Sequence, residues 1–200
     1  MLFSGSLLAM AAQELAVHSR NSELHVSAPK LHFLSGASLD RLKNGAAVPF
    51  DFQLSIFADS NANLYDRALE RFVVSYDLWE EKYSITKLWG AASMRGSSVQ
   101  RARERRTVSH LTAEAAESWC LDNIALSTTG FDPNRQFWVK LEVRSADSRD
   151  GAPLVGESGI SISRLIDLFS HPPRSGQQRW ALEKGPIRLA DVGRLAGSGT

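Results

Sequence analysis

The sequence predicts a mainly β protein: an antiparallel β-sandwich-like domain with two or three short helices among its strands. Three observations carry this reading. The first is a two-residue hydrophobic period, clearest in Phe137-Trp138-Val139-Lys140-Leu141-Glu142-Val143-Arg144. There Phe137, Val139, Leu141 and Val143 share one face and Trp138, Lys140, Glu142 and Arg144 the other, as a strand with one side on a core requires. The second is the spacing of such runs by turn-forming clusters, Asp59-Ser60-Asn61-Ala62-Asn63 and Phe131-Asp132-Pro133-Asn134 among them. The third is that the strand–helix–strand alternation of a parallel sheet does not occur.

Leu15 to Leu34 reads as two extended segments. Glu23-Leu24-His25-Val26-Ser27 alternates, Pro29 interrupts, and Lys30 to Leu34 resumes. A short helix follows over Leu39–Asn44, with Ser38 as N-cap and Gly45 past its end. Pro49 opens a strand to Phe57, with Phe50, Phe52, Leu54 and Ile56 on the core face. Two further strands lie between Arg71 and Trp89. Leu78-Trp79-Glu80-Glu81 forms the bend between them, but it lacks the Asn-Gly or Asp-Gly signature, so one long bent strand is the alternative.

Residues 90–108 have no apolar period and read as an exposed, Arg-rich loop. Thr112 caps a helix whose stripe is Leu111, Ala115 and Trp119 with Ala116, Cys120 and Ile124. After the strand at 137–144 come a polar turn, a weak glycine-bearing strand over Val155–Ile162, and a helix from Ser163 to Phe169 ended by Pro172 and Pro173. Arg179–Glu183 is the last strand; Gly185-Pro186 breaks it and Ile187–Leu189 resumes it. Residues 15–190 therefore form one domain, and 191–200 a flexible tail.

Charge excludes several functions. Lys and Arg total 23 against 22 for Asp and Glu, so the chain has no net field to draw nucleic acid or an anionic membrane. Cys120, the one cysteine, cannot form an internal disulfide, and no zinc-ligand spacing or phosphate-binding glycine loop occurs, so no cofactor is expected. Residues 1–12 are uncharged and mostly apolar or small, with Ala9-Met10-Ala11 in a cleavage-site pattern. They read as a truncated signal peptide, too short to span a bilayer.

Candidate chemistry is sparse. His18, His25 and His32 recur every seven residues, a spacing that alternates faces of a strand and cannot converge on a metal from one strand. Cys120 sits on an apolar stripe, where the thiolate is disfavoured. Gly156-Glu157-Ser158-Gly159 lacks the glycine spacing of a nucleophile elbow. Asp77, Glu80 and Glu81 beside Trp79 read as a solvated turn. Arg101, Arg103, Arg105 and Arg106 form the one dense charge cluster, with Arg95 upstream. They read as a solvated loop, with anion binding as the functional alternative. Trp138 shares a polar strand face. It is expected to be covered by the 112–124 helix or a neighbouring strand; if exposed, it is the candidate partner-binding residue.

Five segments also carry a resemblance. They are Leu42-Lys43-Asn44-Gly45-Ala46-Ala47-Val48-Pro49-Phe50; Val74-Ser75-Tyr76-Asp77-Leu78 through Tyr83-Ser84-Ile85; Leu111-Thr112-Ala113-Glu114-Ala115; Phe137 through Val143; and Trp180-Ala181-Leu182. In this order they resemble an exported bacterial family catalogued only as a domain of unknown function, over about Leu31 to Leu189. The Arg-rich stretch at 90–108 and the glycine-bearing segment after Asp147 depart from the family's pattern. The resemblance implies export, a β-rich fold and a role in the cell envelope, and it brings no catalytic residues. The expected function is therefore a non-catalytic module binding an envelope protein or a small ligand. A hydrolase with an acid/His site assembled in space and an anion binder using the Arg-rich loop are the alternatives.

Overall fold

The computed structural model describes residues 14–88, 106–146, 162–173 and 176–192. In chain order its elements are β1 (Ala16–Arg20), β2 (Glu23–Ser27), α1 (Gly36–Lys43), β3 (Val48–Ala58), β4 (Leu64–Asp77), β5 (Lys82–Leu88), β6 (Arg106–Leu111), α2 (Ala113–Asp122), β7 (Ala125–Ser127), β8 (Gln136–Ser145), α3 (Ile162–Ser170) and β9 (Arg179–Arg188). They build two antiparallel sheets, one in the order β1-β2-β7 and one in the order β6-β5-β4-β3-β8-β9. The mainly β, sandwich-like architecture is the one the sequence predicts.

One apolar core joins the two sheets. Phe50, Phe52, Leu54 and Ile56 of β3 are buried, as are Phe72 and Val74 of β4, Ile85 of β5 and Val139, Leu141 and Val143 of β8. They meet Leu24, Val26 and Leu126 of the small sheet and Ala116, Cys120 and Leu121 of α2 in one cluster. Phe33 sets its ring edge-on to Phe50 and Phe52 at 5.0 and 5.3 Å, a favoured aromatic geometry. The β1–β2 turn places Asn21 and Ser22 at φ 50° and 60°, the left-handed pair that a two-residue hairpin needs.

Local chemistry explains where structure and sequence reading agree. Thr112 caps α2 by accepting the Ala115 N–H at 3.3 Å. Leu78–Glu81 is a hairpin bend, and the single bent strand is excluded. The Asp77 carboxylate closes the turn by accepting the N–H groups of Trp79 and Glu80 at 2.8 and 3.0 Å, in place of an Asn-Gly pair.

Elsewhere the structure corrects the reading. Lys30–Leu34 is not a strand: Leu31 N–H turns back to Ala28 C=O, and Leu31, Phe33 and Leu34 fill the core from an irregular segment. Helix α1 begins earlier than expected, with Ser35 as its N-cap. Ser38 lies inside it, buried, and donates its hydroxyl to Gln178 Oε1. Strand β4 reaches back to Leu64, because the charges that break its apolar alternation are matched across the sheet. Glu70 pairs with Lys87 at 3.0 Å on the core face, and Arg71 with Asp51 at 2.5 Å on the reverse face. Strand β9 continues through Gly185-Pro186, a cis peptide, by shifting register against β8 between Phe137 and Val139. Arg106 to Val108 belong to β6 and not to a loop. Asp191, placed in the tail by the sequence, ends a helical turn over Leu189–Asp191, and Val192 packs on the core. The signal-like residues 1–12, Arg95, Arg101, Arg103, Arg105, the strand expected from Val155, and residues 193–200 lie outside the described residues. No described helix is long and apolar enough to cross a membrane.

Candidate functional site

The tip of the β4–β5 hairpin presents the most accessible large apolar side chains of the described residues. Trp79 is 96% exposed and Leu78 55%. Their backbone is held firmly. Asp77 accepts both turn N–H groups, and those bonds, that of Glu80 first, draw its carboxyl below the usual carboxylate range. Glu81 completes the bend at φ 54°. Beside the tip runs β6, where His110, at φ 61°, sets Nδ1 2.8 Å from a Glu80 carboxylate oxygen. The indole thus shares a fixed turn with Asp77, Glu80 and Glu81. Strand β6 ends the larger sheet: one edge pairs with β5, and no described strand pairs with the other. The arrangement is an aromatic knob on an acidic turn next to a strand edge. It has the parts of a protein-recognition surface, since Trp is the residue type most enriched at binding hot spots and a strand edge offers main-chain donors and acceptors.

The reverse face of the larger sheet is polar and tightly paired. Arg71 donates to both oxygens of Asp51 at 2.5 and 2.6 Å. Glu142 accepts from Arg144 at 2.5 Å and from Arg179 at 2.8 and 3.0 Å. Burial acts to raise the Glu142 pKa, but the bonds to Arg179 and Arg144 outweigh it and the carboxyl titrates below its ordinary range. Arg144 also donates to the carbonyls of Leu168 and His171 at 2.7 and 2.8 Å and lies 4.9 Å from the Phe169 ring, fixing α3 on this face.

Trp138 belongs to this face and is half-buried. Strand β9 covers it: a Cβ on Gly185 would fall 2.6 Å from Trp138 Cδ1. A neighbouring strand, one of the two expected sources of cover, therefore packs on the indole and leaves it half-buried. Of the candidate anion-binding residues, Arg101, Arg103 and Arg105 lie outside the described residues. Arg106 is tied to α2, donating to Asn123 Oδ1 at 3.3 Å with its guanidinium 5.8 Å from the Trp119 ring.

The remaining chemical groups serve the fold. Cys120 is fully buried, and desolvation pushes its thiol well above the ordinary range, which disfavours the thiolate. Glu117, buried on α2, accepts Leu34 N–H at 2.8 Å and His32 Nδ1–H at 2.9 Å and so ties the irregular segment to the helix. The β1–β2 hairpin sets His18 directly opposite His25. Two strands thereby join what one strand would have kept apart, which corrects the expectation drawn from spacing. His18 hydrogen-bonds Ser27 Oγ at 3.0 Å and His25 lies 3.6 Å from Glu23, and no set of three metal-ligating residues forms among the described residues.

Sequence reading passed over Trp79 because a tryptophan within a turn of acids looks like solvated punctuation. The available signal was a large aromatic where turn chemistry asks for a small polar residue. No protein-family model matches the chain, nor does any curated protein or solved structure.

Proposed function

We propose that the chain is a non-catalytic protein-binding module exported to the cell envelope, and that Trp79 is its anchor. The observation that carries this is an indole left 96% exposed on a turn whose backbone is locked by Asp77. A locked turn loses little further entropy when its side chain is captured. The carboxylates of Asp77, Glu80 and Glu81 select a partner whose indole pocket is rimmed by Lys or Arg. Strand β6 lies alongside to take an extended partner segment. Export is supported by the apolar first residues with Ala9-Met10-Ala11, and by the family-like pattern from Leu31 to Leu189.

Affinity capture from envelope extracts tests the anchor, with wild-type and Trp79→Ala proteins as paired baits. A protein retained by the wild type and lost from the variant is the expected result, because truncating a Trp anchor costs about 2 kcal/mol or more, roughly thirtyfold in affinity. Identical retention by both baits overturns the assignment. Sequencing the mature N-terminus in the native host tests export, and an uncleaved Met1 counts against it.

A further inference from the structure

On the reverse face of the larger sheet, Ser55 of β3 lies in register with Arg67 of β4 on one side and Lys140 of β8 on the other. Gln53, two residues away on the same face, lies between Leu69 and Glu142. The other charges here are matched, Asp51 with Arg71, Glu142 with Arg144 and Arg179, and Lys140 with Glu183 at 3.5 Å. Three neighbouring atoms differ. Gln53 Oε1, Ser55 Oγ and Arg67 Nε are buried and have no hydrogen-bond partner. Ser55 itself is only 1% exposed, whereas Gln53 and Arg67 are half-buried.

Buried polar groups are nearly always hydrogen-bonded, so three orphans on adjoining positions mark a place built for a further group. Its chemistry follows from theirs. Arg67 offers N–H donors and Ser55 an O–H donor, while Gln53 Oε1 asks for a donor in return. Arg67 flanks Ser55 on one side, while Lys140 on the other is paired with Glu183. A carboxylate accepts from Arg67 and Ser55 together, in charge-assisted hydrogen bonds stronger than neutral ones. An N–H close to that carboxylate supplies Gln53. Phosphate near neutral pH can offer Gln53 Oε1 a donor only through a P–OH group, and its greater negative charge would lie against Glu142 beside Gln53.

We propose that Gln53, Ser55 and Arg67 form a binding site for a small carboxylate with an adjacent amide N–H, the chemistry of an N-acylated α-amino acid. The site is independent of Trp79, which lies at the hairpin tip.

Titration of the full chain with N-acetylglycine, followed by NMR of the Arg67 Nε–H and the Gln53 side-chain amide, tests the proposal. Saturable shifts of both signals are expected, with acetate severalfold to about tenfold weaker, the worth of one neutral amide hydrogen bond, and N-acetylglycinamide, which lacks the carboxylate, weaker still. Arg67→Met should lower affinity at least about tenfold. Ser55→Ala removes a hydroxyl that bonds nothing in the protein, so it keeps the fold and should weaken binding severalfold. Shifts that do not saturate mean an ordered water only at these atoms and overturn the proposal. So do saturation by inorganic phosphate in place of N-acetylglycine, or equal affinity in both variants.

Discussion

Asp51 is a carboxylate with no exposed surface on one of the two central strands of the larger sheet, in register with Arg71 on one side and Arg144 on the other. Its charge is tolerable there because Arg71 grips both oxygens. Removing one member of such a pair strands the other. Asp51→Ala should therefore destabilise by about 3–5 kcal/mol in urea unfolding. A double variant, Asp51→Leu with Arg71→Met, should cost markedly less because no unpaired charge remains. Glu142 gives a pH signature. Its folded pKa lies below the ordinary 4.5 because Arg179 and Arg144 favour the carboxylate. The stability it contributes is thus fully present above that ordinary value and is lost as pH falls through the lower, folded one. Urea midpoints measured between about pH 3 and 7 should show Glu142→Gln less stable than wild type at neutral pH, with the gap closing in acid. A gap that persists at the acid end would remove the ion pair as its cause.

At the scale of elements, β9 depends on Gly185. Its φ of 153° is a conformation that residues with a side chain rarely adopt, and an added Cβ would lie 2.6 Å from Trp138 Cδ1 and 2.9 Å from the Trp138 Cα. Gly185→Ala must push β9 off β8 or move the indole. A loss of about 1–3 kcal/mol in thermal unfolding, with a changed Trp fluorescence, is expected. Strand legibility follows the same physics. The 137–144 strand could be read directly because its core face is wholly apolar and its other face polar. The first half of β4 could not, because Asp66 and Glu70 lie buried on the face where an apolar residue is expected. Their compatibility with burial comes from partners on other strands, such as Lys87 for Glu70, and a local period carries no trace of them.

For the whole molecule, fold class was readable because it is a sum of local periods, each fixed by which side meets the shared core. Sites are products of register. Gln53 and Ser55 meet Arg67 only because β3 and β4 pair in one alignment, and a slip of one residue would send the guanidinium to the opposite face. Trp79 was in plain view as a residue, but its exposure depends on how the hairpin stands clear of the sheet.

The position of β3 also governs the order of events during synthesis. Its first neighbour, β4, follows at once in the chain, whereas its second, β8, sets Ser145 against Phe50 and is made much later. Until then β3 has one unpaired edge and its phenylalanines have no finished core. Pairings so distant in sequence close slowly, because the chain entropy is spent before the contacts form. Such a chain completes its larger sheet only once β8 has been made.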